Sequence, residues 1–259
     1  MLPPIFTEEA FPIPTLSHVH PAPACGPSSS RAEASAGALD LKELFWIFLL
    51  ASFWGCIGET LFMLLTTGRL QNRSGVLYGP FSLVWGLGAV LFTLLFHSLA
   101  QRRRLFWAGA LLGTCYEYLC SWLQEMFFGS CFWDYSHLPF NLNGRVNLLF
   151  SAFWGAAAVL WRRQLYPRLR RRLDSARPSR CLTVILAALM AGNIALSAAA
   201  LVRMDRRQCG LPAVTELELL LDRFYPDQVL QRTFSNLTYI GTDAARAASG
   251  VPRPWDIPD

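Results

Sequence analysis

Three glutamates, Glu59, Glu117 and Glu125, sit inside otherwise apolar stretches of this 259-residue chain. That is a costly place for a carboxylate. An ionised side chain at the centre of a bilayer costs about 2.5–3.5 kcal/mol on insertion scales, so a buried acid is normally paired. Glu117 falls near the middle of its stretch. With about 1.5 Å of rise per residue, Glu59 and Glu125 lie roughly 7 Å and 12 Å nearer one end. The connections at that end supply Arg69, Arg73 and Arg145, with Asp134 and His137 close by. An outward-facing polar pocket built from Glu59, Glu125, Arg69 and Arg145 is therefore expected. Three meanings stay open for it: internal salt bridges that pin loops to helices, binding of a solute, ion or proton, and catalysis.

Residues 133–145, Trp-Asp-Tyr-Ser-His-Leu-Pro-Phe-Asn-Leu-Asn-Gly-Arg, crowd aromatic, amide and charged groups into one connection. Trp133 and Tyr135 suit the headgroup level, and Asn141 and Asn143 are good turn formers. Such a segment reads as a re-entrant or surface-lying loop folded over helix ends. Asp134 and His137, three residues apart, have the types of a base and its orienter, but no recognisable motif places a Ser or Cys nucleophile. No catalytic residue is assigned. The candidate binding set is Glu59, Arg69, Arg73, Glu117, Glu125, Asp134, His137, Asn141, Asn143 and Arg145.

What must position these residues is a set of five apolar stretches, at 44–65, 81–99, 105–128, 148–161 and 182–202. A spanning helix needs roughly 20 residues of low polarity, and the fourth stretch reaches that only by starting near Asn143. Just over half the residues are hydrophobic and 16% are charged, which is low for a water-soluble domain. The fold class expected is an all-α, polytopic membrane helix bundle of about five transmembrane helices over residues 41–202. Gly55 with Gly58, Ser151 with Gly155, and Ala191, Ala195 and Ala199 beside Gly192 mark expected close helix contacts, because association in lipid depends on small residues.

Arginines set the orientation. The second connection holds Arg102, Arg103 and Arg104, and the fourth holds eight between Arg162 and Arg180. Short basic loops stay in the cytoplasm, which places the N-terminus inside and residues 203–259 outside. Arg203, Arg206 and Arg207 argue the other way. The arginines, with pI about 9.0, meet anionic lipid headgroups. A nucleic-acid partner is excluded by the lack of an aromatic-interleaved basic module.

Residues 1–40, rich in Pro, Ser and Ala, read as a disordered tail. In the other tail Thr215 and Glu218 form a capping box, and Leu217, Leu220, Leu221 and Phe224 share one face of a short amphipathic helix. The seven cysteines contain no C-x-x-C pair, so no metal and no cofactor is expected. Cys131 and Cys209 would both lie outside, where a bridge is sterically open but unsupported by spacing. Asn236-Leu237-Thr238 fits a glycosylation sequon, a match that often arises by chance.

The run from Phe53 to Glu59, then Gly68-Arg69, Asn72-Arg73 and Leu77-Tyr78-Gly79-Pro80-Phe81, resembles the start of a bacterial family described as Putative ABC-transporter type IV, the CmpB-like permeases. Glu117-Tyr118, Trp133 to Ser136, Pro139-Phe140-Asn141 and Asn143-Gly144-Arg145 resemble its second half. The match covers about residues 44–160. It implies a multi-spanning plasma-membrane protein, chiefly of Gram-positive lineages, and brings no established solute and no catalytic residues. A transport role would need a separate ATPase subunit, since no G-x-x-x-x-G-K-[ST] loop occurs here, and a homo-oligomer is the usual way for a permease half to enclose a path. A membrane-embedded enzyme acting through loop 133–145, and a structural or regulatory membrane protein, remain the alternatives.

Overall fold

The structure is a computed structural model, and it describes residues 40–96, 98–99 and 101–241. The expected N-terminal tail through residue 39, with His18 and His20, and the end of the other tail lie outside the described residues. The chain is mostly helical: α1 Leu41–Thr67, α2 Leu83–Leu95, α3 Arg102–Phe128, α4 Leu148–Leu160, α5 Tyr166–Ala176, α6 Arg180–Gln208, α7 Glu216–Phe224 and α8 Asp227–Thr233. Four two-residue strands, β1 Ser130–Cys131, β2 Asn141–Leu142, β3 Val146–Asn147 and β4 Thr238–Tyr239, form the antiparallel pairs β1–β4 and β2–β3.

Helix occupies all five predicted stretches, but two helices, α1 and α6, are long and apolar enough by length and composition to cross a membrane. The third, α3, matches α1 in length and carries Arg102, Arg103 and Arg104 in its first turn. Two are short, at 13 residues each, about 20 Å against a hydrocarbon core of about 30 Å. The fourth stretch does not start near Asn143. Asn147 caps α4 by accepting the Leu149 N–H at 2.8 Å, while Asn143 turns the β2–β3 hairpin with φ 52°. The helix instead gains length at its other end, running without a break through a π-helical turn at Trp161–Leu165 into α5.

The reason α2 is short lies in the connection before it. Backbone at Leu77 and Tyr78 reaches down to the middle of α6, where Leu77 N–H donates to Ser197 Oγ at 2.9 Å and Tyr78 exchanges two bonds with the Asn193 amide, at 3.2 and 2.7 Å. Ser74, buried, donates toward the carbonyls of Val76 and Gly79. Irregular backbone inside the bundle needs hydrogen-bond partners, and side chains of α6 and Ser74 supply them. The first connection therefore runs back into the helix bundle against α6.

Helices α3 and α4 touch through glycines. A Cβ on Gly109 would lie 2.3 Å from that of Ala158, and one on Gly155 would lie 2.7 Å from the Phe106 carbonyl. Thr114 donates to Ser151 across the same seam at 2.6 Å. Helices α1 and α2 meet in the same way at Gly86, whose Cβ would fall 2.8 Å from the Phe48 carbonyl. The fifth stretch departs from expectation. Ala191, Gly192 and Ala195 are exposed, and nothing lies within 4 Å of a Cβ on Gly192. The buried face is instead Thr183, Met190, Ser197 and Met204, because hydroxyls there meet the Trp46 indole at 3.1 Å and the Leu77 N–H. These polar bonds set the rotation of α6, overriding the small-residue stripe.

Residues 209–241 fold over the end of the bundle. β4 pairs with β1, and Phe132, Leu201, Met204, Leu221, Leu230 and Phe234 form a core beneath. Thr215 and Glu218 make the capping box, but of the predicted apolar face Leu221 is buried while Leu217, Leu220 and Phe224 are exposed. The arginines that confused the topology have local partners: Arg203 grips Asp222 with two bonds of 2.8 Å, Arg207 reaches Asp222 and Asp227 at 2.7 Å each, and Arg206 pairs with Glu218. Asn236 turns inward, donating to the Phe132 carbonyl at 2.9 Å. Cys131 and Cys209 are both free, and burial, with Asp134 and Glu125 nearby, pushes the Cys131 thiol up to about 11.

Two outcomes follow. The bonds from Arg203 and then Arg207 hold the Asp222 carboxyl down at about 2, so its contribution is complete above about pH 4, the ordinary aspartate range. It is lost as pH falls toward 2. Limited proteolysis of the tail across pH 5 to 2 should show this step, and Asp222→Asn should abolish it. In the bundle, Gly109→Val should lower stability by about 1–3 kcal/mol through overpacking, whereas Gly192→Ala should be neutral or stabilise by up to about 1 kcal/mol. Thermal unfolding in detergent distinguishes them.

Candidate functional site

A cavity of about 1530 Å³ runs along α1, backed by α2 and bounded opposite by α4 and α5. Its walls are mainly apolar, which makes the polar groups on them stand out. Glu59, from α1, accepts from Arg73 Nε at 2.7 Å and Nη2 at 2.6 Å, and its other oxygen accepts from the Trp85 indole at 3.0 Å. Glu117, from α3, accepts from the Tyr135 hydroxyl at 2.9 Å on one oxygen and from the Trp154 indole at 3.0 Å on the other. The two indoles lie against each other with ring centroids 5.3 Å apart. Each carboxylate is therefore capped by a tryptophan, and the tryptophans touch.

Glycine makes room for both rings. A Cβ on Gly55 would strike Trp85 Cβ at 2.3 Å, and one on Gly113 would strike Trp154 Cβ at 2.4 Å. Tyr135 stacks on Phe150 at 4.5 Å. Burial, then the charge and hydrogen bond of Glu117, push its phenol above the ordinary range, so it stays protonated and remains a donor. At the same end, Gln124 Oε1 and Asn236 Oδ1 are buried without a hydrogen-bond partner among the described residues, and both residues line the cavity. Asp134 and His137 line its rim.

The structure divides the predicted pocket in two. Glu59 takes Arg73, in the cavity, while Glu125 takes Arg145 in a separate buried cluster. Both members of that second pair are 3% exposed. Arg145 also donates to Ser121 Oγ at 3.2 Å and lies over the Tyr118 ring at 5.7 Å. Its carbonyl accepts from the Trp133 indole at 2.9 Å. This geometry pins the third connection to α3. Arg69 is exposed past the end of α1, its N–H donating to the Thr67 hydroxyl at 3.3 Å.

The remaining candidates shape the loop. Asp134 accepts the Ser136 N–H at 2.8 Å and the Ser136 hydroxyl at 2.9 Å, while His137 is exposed. Asn141 donates to the Leu138 carbonyl at 2.7 Å and accepts from Gly144 N–H at 3.0 Å. Asn143 donates to the Tyr118 hydroxyl at 3.1 Å. Gly144 needs to be glycine twice over: its φ is 64°, and a Cβ would sit 2.7 Å from Asp134 Oδ1.

Sequence reading missed Trp85, Trp154, Gln124 and Asn236 as members of the site. A signal was present for the indoles. A tryptophan inside a lipid-level helix has an N–H that needs an acceptor, and carboxylates were the obvious acceptors. Which tryptophan meets which glutamate depends on helix rotation.

Removing one side of the buried pair should be severe. Arg145→Met removes the guanidinium that pairs with buried Glu125 and should lower stability by about 3–5 kcal/mol. Adding Glu125→Met to it should restore most of that loss. Denaturant unfolding of the two variants in detergent checks both outcomes.

Comparison with curated proteins and with solved structures gave no match. A family model, Putative ABC-transporter type IV, matches residues 46–198, so the correspondence extends past residue 160 through much of α6. That stretch takes in the glutamates, both tryptophans, the first connection and the β2–β3 hairpin. On that match, over more than half its length, the chain belongs to the Putative ABC-transporter type IV family.

Proposed function

We propose that this chain is the plasma-membrane, solute-binding subunit of a transport complex, crossing the bilayer five times with α1, α2, α3, α4 and α6. The observation that carries the reading is the cavity containing Glu59 and Glu117, each held by an indole, with unpartnered acceptors at Gln124 and Asn236. An apolar chamber with a few convergent polar groups is the usual form of a small-molecule site. Its acceptors favour a solute with an apolar body and a polar part that donates hydrogen bonds, such as an amine or a polyol. In this reading the first connection completes the depth that α2 lacks, and the π-helical turn extends α4 to the inner surface.

Energy coupling would come from a separate ATPase subunit docking at the arginine-rich end, and a second copy of the chain could complete the path. The N-terminus lies in the cytoplasm, and residues 209–241 lie outside. Catalysis by loop 133–145 has less support, since Asp134 is engaged by Ser136 rather than by His137.

Two measurements test this reading. With the native cysteines replaced by serine, Ser136→Cys should react with an impermeant thiol reagent from outside intact cells and Arg171→Cys should not; reversal of the pair overturns the orientation. A thermal-shift screen of amines and polyols on the detergent-purified protein should find a solute that raises the unfolding midpoint. That shift should vanish in Glu117→Gln and Glu59→Gln, and a shift that survives in both removes the cavity from the mechanism.

A further inference from the structure

The part of the cavity farthest from the glutamates has a different lining. Leu165, Arg168, Leu169, Arg172, Leu173 and Ala176 all line it. They follow the i, i+3, i+4 spacing of one helical face, so a single face of the π turn and α5 presents both leucines and guanidiniums to the groove. Other arginines of this region are turned elsewhere. Arg162 donates to the Phe96 carbonyl at 3.1 Å, Arg170 lies 3.7 Å from Glu43, and Arg171 donates to the Pro167 carbonyl at 3.2 Å. Arg168 reaches only Gln164, four residues before it on its own helix, at 3.3 Å. Neither Arg168 nor Arg172 has a carboxylate partner among the described residues.

The groove above them is open along its side. Trp54, Leu160, Leu165 and Leu182 line it and remain 65%, 43%, 43% and 44% exposed. Depth is the second consideration. Arg168 lies fourteen residues along a continuous helix from Trp154, the residue at the level of Glu117. At about 1.5 Å per residue that is roughly 21 Å. With Glu117 near the bilayer centre, the hydrocarbon edge lies about 15 Å away and the headgroup layer ends near about 22 Å. The guanidinium of Arg168 therefore stands in the headgroup layer, with apolar wall between it and the indoles.

We infer that this half of the cavity is a site for one anionic phospholipid of the inner leaflet. Its phosphate is held by Arg168 and Arg172, and its acyl chain lies along Trp54, Leu160, Leu165 and Leu182. Guanidinium recognises phosphate through paired, charge-assisted bonds, and the open side admits a lipid directly from the bilayer. The inference rests on the membrane-embedded reading above, but not on transport or on the solute.

Native mass spectrometry of the full-length protein in detergent tests it, with phosphatidylglycerol and phosphatidylcholine titrated in equal amounts. Phosphatidylglycerol should be retained about tenfold better, because the choline ammonium of phosphatidylcholine offsets its phosphate and repels the guanidiniums, while phosphatidylglycerol keeps its net negative charge. Arg168→Gln with Arg172→Gln should erase that preference, Arg168→Lys with Arg172→Lys should keep part of it, and Leu160→Trp should reduce retention of both lipids. Arg102→Gln with Arg103→Gln, neither of which lines the groove, should leave it intact. Equal retention of the two lipids, a preference that survives the Arg168 and Arg172 change, or displacement by millimolar inorganic phosphate overturns the lipid site. Failure of the membrane reading would look different: the protein would fractionate without membranes and need no detergent.

Discussion

Carboxylates in an apolar setting dominate this molecule, because every one of them has to find donors before helices can close around it. Glu117 is the clearest case. Its two oxygens are divided between an indole on α4 and a phenol on the third connection, so one side chain joins α3, α4 and that connection. Glu59 does the same for α1, α2 and the first connection through Trp85 and Arg73. The contact between the two indoles then links both halves of the bundle. Glycines opposite the rings are a consequence of this arrangement, since any Cβ at Gly55 or Gly113 would occupy the space that the indoles need.

Glu125 shows the same constraint solved without a cavity. It pairs with Arg145, which also meets Ser121 and the Tyr118 ring, and both members of the pair are 3% exposed. Such a pair holds the third connection to α3, and breaking it strands a buried charge. The cavity glutamates differ in facing open volume beside acceptors that lack partners. That contrast separates scaffold from candidate site more sharply than residue type does.

The tail follows a related logic at the surface. Three arginines at the end of α6 would be read from sequence as a cytoplasmic signal, yet Asp222, Asp227 and Glu218 occupy them. Arg168 and Arg172 of α5, which face the groove, have no such carboxylates among the described residues.

Helical class, the five apolar stretches and the acids worth attention were all legible from residue order, because hydropathy and the cost of burying charge are local properties of the chain. Capping at Thr215 and Glu218 was legible for the same reason. Tertiary structure alone decided the pairings. Glu59 and Arg73 are fourteen residues apart and Glu117 and Trp154 thirty-seven, and which donors reach which acceptors depends on how each helix is rotated. Rotation in turn comes from contacts between distant residues, such as Asn193 and Ser197 with the backbone of the first connection, which put Ser197 inward and left Ala191 and Ala195 outside, while Ala199 packs on the core. Composition could place charges within apolar stretches; only packing could aim them.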